Sequence, residues 1–221
     1  KVAPGFRVEL VAHEPMVKDP VFVDWDDEGR MWVGELRTYM RDLDGTGENE
    51  RMSRVMVLED TDKDGVMDKA VPFVDDMINV RCIAFVDDGV LVVESGALWL
   101  CKDNKGDLRC DEREKLIDFA SAAHSNIEHA ENALHYALDN WMYNSKSSRK
   151  LAWRRGKLIE MPAKGRGQWG MASDAYGRLY FNANSNWFEV DWATYDRQWP
   201  SKSSTVKAPT NRVYGIRPNT A

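Results

Sequence analysis

One phrase recurs four times along this chain of 221 residues, and it limits what the chain can fold into more than any other feature. An apolar segment runs into an Asp-rich turn and returns as an aromatic or β-branched segment, over residues 21–35, 82–93, 133–145 and 170–181. Alternation with period two marks strands, so each copy reads as strand, tight turn, strand. Gly29, Gly89, Asn140 and Gly177 occupy the turns, and all are residue types that tolerate positive φ. The copies return at irregular intervals of roughly 40 to 60 residues, which suits propeller blades of four strands with variable loops better than a solenoid. The predicted fold is all-β: a β-propeller with about four blades, forming a single domain over residues 1–221.

Between the hairpins, residues 54–58, 98–100, 115–119, 150–153 and 157–160 read as further strands, and residues 7–12 as a strand that closes a blade. Residues 37–54 lack apolar periodicity and read as a long loop. Residues 187–221, with Pro200, Pro209 and Pro218, read as loop-rich with no closing strand. The nine tryptophans are expected mainly as packing between blades.

A formal net charge of −6 argues against nucleic acid as a partner, because phosphate binding needs a basic face. The single basic run, Lys146, Arg149, Lys150, Arg154, Arg155 and Lys157, reads as a solvated loop and strand edge. No apolar run approaches the roughly 20 residues of a membrane helix, so no membrane span is expected in this chain. The first five residues show no signal-peptide pattern, so any export signal lies upstream or has been removed. Cys82, Cys101 and Cys110 form no Cys-x-x-Cys motif. Cys101 and Cys110 flank a polar loop and are either bridged across a hairpin, which implies an oxidising compartment, or two separate thiols.

The most specific local motif is Asp60-Thr-Asp-Lys-Asp-Gly-Val-Met-Asp68. Calcium takes six to eight oxygen ligands, and alternate positions on a tightly curled loop turn their carboxylates inward, with Gly65 allowing the sharp turn. The expected ligands are Asp60, Asp62, Asp64, the Val66 carbonyl and Asp68. An EF-hand would have a bidentate Glu at the twelfth position, where this chain has Val71, and the flanks read as strands. A metal-free turn of self-hydrogen-bonded aspartates is the alternative, and either form is structural. The later stretch from Asp103 to Asp107 stands where a second such loop is expected, but its spacing reads as degraded, and a Cys101–Cys110 bridge would replace metal there.

Residues 120–131 gather Ser121, His124, Ser125, Asn126, Glu128 and His129, a loop rich in groups that bind or transfer protons. Residues 165–170 open the fourth hairpin with three glycines that let backbone approach a ligand closely, and place Arg166 near the start of a first strand.

Residues 5–12, 58–69, 138–143, 168–171 and 176–180 together resemble the propeller domain of large exported planctomycete and verrucomicrobial proteins described as membrane-bound dehydrogenases or haem-binding CxxCH proteins. That family is similar to the soluble pyrroloquinoline quinone (PQQ) glucose and sorbosone dehydrogenases, six-bladed propellers with the cofactor at the mouth of the central channel. The resemblance implies that this chain carries about two-thirds of a six-bladed ring, the rest being either removed or absent, or supplied by another chain or copy. It implies a sugar or alcohol substrate, PQQ and Ca²⁺ as cofactors, electrons passing to a cytochrome c, haem only in a part of the protein not present here, and a periplasmic or secreted location. In those dehydrogenases a His opening a His-x-x-Gly-Arg-Leu pattern takes the hydroxyl proton. His129 and Leu134 keep that spacing, with Asn132 and Ala133 in place of Gly-Arg. Arg166 matches a cofactor-binding Arg, with Gly167 replacing the Asn that follows it. Two other functions compete: a non-catalytic, calcium-stapled propeller that binds carbohydrate or protein, and a calcium-dependent lactonase-like hydrolase using Glu35, Asn126 or Asn184.

Overall fold

The structure, a computed structural model, describes residues 1–119, 129–184, 186–191 and 210–212. Its strands form four antiparallel sheets of four, each in chain order. The first blade holds β1 (Pro20–Trp25), β2 (Met31–Glu35), β3 (Ser53–Glu59) and β4 (Lys69–Met77). The second holds β5 (Cys82–Val86), β6 (Gly89–Glu94), β7 (Ala97–Lys102) and β8 (Glu112–Asp118). The third holds β9 (Asn132–Tyr136), β10 (Met142–Ser145), β11 (Arg149–Arg154) and β12 (Lys157–Pro162), and the fourth β13 (Ala172–Ser173), β14 (Leu179–Ala183), β15 (Asn186–Asp191) and β16 (Thr210–Arg212). Neighbours in sequence pair, some across short hairpins and others, such as β2 and β3, across longer connections, which makes each sheet an up-and-down blade of a β-propeller. The chain divides into two compact units, Lys1–Phe85 with Gly89–Phe119, and Val86–Asp88 with Ala120–Ala221.

An aspartate braces the first hairpin of three blades. Asp26 Oδ1 accepts the backbone N–H of Glu28 (3.1 Å) and Arg30 (2.9 Å), while Oδ2 accepts Arg30 Nε (2.6 Å) and Trp32 Nε1 (2.8 Å). Asp174 repeats the arrangement in the fourth blade with Tyr176 N, Arg178 N, Arg178 Nε and the Tyr180 hydroxyl. The third blade has a shorter version, Asp139 accepting Trp141 N and the Tyr143 hydroxyl. One carboxylate thus closes the turn and anchors the aromatic residue of the return strand.

The first unit's core lies between its two blades, where Trp32, Val55, Val57, Phe73, Met77, Ile83, Val92 and Cys101 are buried together. Trp32 meets Phe73 and Phe85 edge-on, with ring centroids 4.8 and 5.2 Å apart. Gly34 is required here, because Phe22 crosses its face and an added Cβ would lie 1.9 Å from Phe22 Cε1. In the second unit, Tyr143, Ala137 and Leu179 pack with Trp141 and Met171.

Three expectations need correction. Residues 7–12 form no strand: Val8 and Leu10 are exposed, and this stretch is held by a hydrogen bond from Met67 N to Val11 O (2.8 Å). Alternation shows that a segment can pair, but pairing needs an open edge within reach. Residues 187–191 and 210–212 belong to strands, because the ladder of the fourth blade recruits backbone groups whatever the side chains are. The basic run is not uniformly solvated. Lys150 is buried, and it and Arg154 each lie 4.9 Å from the centroid of the Trp141 ring. Of the two states left open for Cys101 and Cys110, the structure has the thiols.

Candidate functional site

The loop joining β3 to β4 carries the calcium-type motif. Lys63 and Gly65 adopt positive φ (63° and 93°), which curls the chain so that alternate side chains turn inward. Asp60 accepts Asp64 N (3.2 Å) and Gly65 N (2.8 Å), and Asp64 accepts Val66 N (2.8 Å). One carboxylate oxygen each from Asp60, Asp62 and Asp64 lies within 4.8 Å of the others. Oxygens bound at 2.3–2.6 Å to one Ca²⁺ have this separation, so the three fit a hard cation. Asp68 is placed differently: both its oxygens accept the Thr61 hydroxyl (2.9 and 2.7 Å), which ties the end of the loop to its beginning.

The loop joining β7 to β8 is built in the same way. Asp103, Asp107 and Asp111 keep the spacing of Asp60, Asp64 and Asp68, and Gly106 and Leu108 take positive φ where Lys63 and Gly65 do. Asp103 accepts Asp107 N (3.2 Å) and Leu108 N (2.7 Å), and Asp111 accepts Asn104 N (3.0 Å). Lys105 stands at the position of Asp62, and its ammonium is bonded to Asp111. Asp111 first, then Asp107 and Asp103, hold that ammonium above the usual lysine range. The motif is therefore not degraded. It has exchanged one ligand for a cation of its own.

In the second unit, Arg166 and His129 have unlike surroundings. Arg166 lies in the backbone run that enters the fourth blade, bridged to Ser145 of β10. Its guanidinium is buried, bonds Asp191 Oδ2 through Nε at 2.5 Å and Lys164 O through Nη1 at 2.8 Å, and lies 4.7 Å from the centroid of the Tyr143 ring. Buried and already bonded to Asp191 and Lys164 O, the guanidinium is not open to the carboxylates of a quinone, so Arg166 as placed does not fit PQQ. His129 is exposed on a single turn just ahead of β9. Ala133, at the Arg of the resembling pattern, and Leu134, at its Leu, adopt positive φ (91° and 44°), a strained backbone for residues with a Cβ. Ser121, His124, Ser125, Asn126 and Glu128 lie outside the described residues.

The acid nominated for a hydrolase is not open. Glu35 is fully buried at the end of β2, accepting Lys18 N (2.8 Å) and Arg54 Nε (2.6 Å), with Arg37 Nε at 3.6 Å. Glu94 does the same at the end of β6, accepting Ile78 N (2.7 Å) and Trp99 Nε1 (2.7 Å). Both fasten the segment entering a blade to its interior.

Asn184 lines an open cleft of about 240 Å³ with Gln168, Trp169, Asn182 and Ala183. The cleft's wall is fixed from behind. Gln168 N donates to Asn182 O (2.8 Å), Asn132 Nδ2 donates to Gln168 O (2.8 Å), and Asn132 Oδ1 accepts Gly170 N (2.9 Å). Gly167, with φ of 55°, lies so close to Phe181 and Asn182 that a Cβ there would fall 3.0 Å from Phe181 Cβ and 3.1 Å from Asn182 O. Close approach at this glycine is thus to the protein's own β14. Residue-by-residue reading missed the cleft, since Gln168, Trp169 and Asn182 become neighbours only through backbone pairing.

Four antiparallel blades, with aspartate-braced hairpins in three of them, define a β-propeller. Within that class the chain belongs to the family defined by a domain of unknown function, DUF7133, which it matches over residues 1–219. Its fold is similar to that of the PQQ domain of pyranose dehydrogenase from Coprinopsis cinerea, in its holo form (TM-score 0.52, 12% identity, 81% of this chain and 46% of that one). It is also similar to a gluconolactonase from Xanthomonas campestris (0.48, 12% identity, 78% and 57%) and to streptogramin B lyase (0.45, 12% identity, 80% and 53%). The chain spans about half the length of these solved structures, and at such identity the likeness is one of fold. Comparison with curated proteins gives no match.

Proposed function

We propose that this chain is a carbohydrate-binding propeller domain whose ligand occupies the Trp169 cleft, with Ca²⁺ held by Asp60, Asp62 and Asp64 as a structural staple. The observation that carries this reading is the cleft's composition: one indole among three amides and one alanine. A sugar ring presents C–H groups on its faces and hydroxyls around its rim. An indole supplies an apolar surface for the first, and amides supply donors and acceptors together for the second. About 240 Å³ suits one ring rather than a drug-sized ligand. The Asn132 bonds behind Gln168 hold the wall in place before binding, which limits the ordering cost.

Calorimetric titration with a panel of monosaccharides and polyols, followed in parallel by tryptophan fluorescence, tests this. Binding by the wild type and a loss of roughly ten-fold or more in Trp169→Ala and Asn184→Ala is the expected result. If no sugar binds, or the variants bind as the parent does, the assignment of the cleft fails.

Oxidation of the sugar is a second reading, favoured by the exposed His129 imidazole and the sequence resemblance to quinoprotein dehydrogenases. On that reading electrons pass to a cytochrome c and the chain works in the periplasm or outside the cell. The paired state of Arg166 counts against it. Dye reduction across sugars and alcohols after addition of PQQ and Ca²⁺ decides: turnover abolished in His129→Ala supports it, and equal rates in the two chains end it.

A further inference from the structure

Cys101 ends the buried part of β7, where it pairs with Arg113, and Cys110 ends the loop that returns to β8. The loop's closure is fixed on both sides of Cys110: its own N–H donates to Phe73 O (2.7 Å), and Asp111 N donates to Lys102 O (2.8 Å). Held this way, Cys110 packs against the buried cluster that contains Cys101, which brings the two thiols within reach of each other. Cys101 is fully buried in the first unit's core, whereas Cys110 is half-buried at its margin, 3.2 Å from Glu112 O. Two thiols in contact, one sealed and one reachable, around a loop pinned at its neck, is the layout of an attacking and a resolving cysteine.

We infer that Cys101 and Cys110 form a redox-active dithiol, in which Cys110 attacks small-molecule disulfides and Cys101 resolves the adduct, closing residues 102–109 in a covalent loop. The electrostatics agree. The hydrogen bond from Cys101 brings the Cys110 thiol down to about 7 against the upward push of burial, helped by backbone hydrogen bonds and the Arg113 charge. The same hydrogen bond, with burial, pushes Cys101 up, so it stays protonated as the donor. In the first step the Cys110 thiolate attacks one sulfur of the small disulfide, whose S–S bond breaks and releases one thiolate with the electron pair. In the second, Cys101 loses its proton and attacks Cys110 Sγ, expelling the second small thiolate with its electron pair; the protons given up by Cys110 and Cys101 pass through solvent to the two small thiolates. Two protein thiols are oxidised by two electrons, and one small disulfide is reduced to two thiols.

The test starts from the fully reduced chain, treated at neutral pH with oxidised glutathione and followed by intact mass and peptide mapping. The wild type is expected to pass through a single adduct on Cys110 and end with a Cys101–Cys110 disulfide and no bound glutathione. Cys101→Ala is expected to stop at the Cys110 adduct, and Cys110→Ala to take up none while folded, with buried Cys82 unmodified throughout. A lasting adduct on the wild type, or first reaction at Cys101 or Cys82, overturns the proposal. Because a core substitution at Cys101 risks unfolding the chain, alkylation of the native wild type is a second measurement. Cys110 is expected to react with iodoacetamide roughly ten-fold or more faster than Cys101 and Cys82, and equal rates overturn the proposal.

Discussion

Asp26 anchors one turn and one tryptophan with a single carboxylate, so its removal reaches beyond the turn. Asp26→Ala leaves the Trp32 indole N–H and the turn N–H groups without their acceptor, and is expected to lower stability by about 2 kcal/mol in urea unfolding. An unchanged midpoint would show that the brace is incidental. Glu35 sits deeper, and Glu35→Ala strands Arg54 and Lys18 N. A loss of about 3 kcal/mol is expected by the same measurement. At Ala133 the sign reverses: with φ of 91°, Ala133→Gly relieves strain and is expected to raise stability by roughly 1 kcal/mol. These residues were unevenly legible. The Asp-rich turns stood out in the sequence, but the partners of Glu35 and Glu94 lie on other strands and in the segments that enter the blades, and no local pattern announces them.

The two acidic loops show one design solved twice. Asp60, Asp62 and Asp64 converge without an internal cation, while in the second loop Lys105 supplies one. Calorimetric titration of chelator-treated protein should therefore show one calcium site, lost in Asp62→Ala, and Lys105→Asp should add a second. A first titration with two sites, or none, would refute the assignment. Oxidation of the thiol pair closes the second loop and, by chain-entropy reasoning, makes the oxidised fold roughly 3 kcal/mol more stable than the reduced one, because the bridge restricts the unfolded chain. Sequence spacing revealed the first loop because its aspartates stand at regular alternate positions around Gly65. The second was misread, because a lysine looks like a lost ligand until its ammonium is seen on Asp111.

Acid stability is a property of the whole molecule, since the carboxylates held below their ordinary range occur in both units. In the first unit, Asp26 is lowered by Trp32 and Arg30 against the opposing effect of burial, Asp42 by the Thr46 backbone N–H, and Asp111 by Lys105. In the second, desolvation pushes Asp174 up, but bonds from Arg178, Tyr180 and Tyr176 bring it down to about 2. A depressed carboxylate contributes stability that is complete above its unfolded value and lost as pH falls through the folded one. Glu131, raised by burial, acts in the opposite sense but is a single group. Thermal midpoints should hold level down to about pH 4 and then fall towards pH 2. A midpoint that rises over that interval would contradict the assigned directions.

The sequence by itself determined the fold class, because period-two alternation and turn residues with positive φ are local properties that survive without any partner. It also determined the first acidic loop, whose carboxylates all lie within nine consecutive positions. Tertiary structure decided the rest. Residues 7–12 alternate yet stay unpaired, Arg166 is consumed by Asp191, Cys110 meets Cys101, and Trp169 joins Asn182 and Asn184 in one cleft. Each of those outcomes depends on which strand edges and side chains meet across long sequence separations. Burial then sets whether a charge or thiol is available for chemistry, and burial is a property of the packed chain.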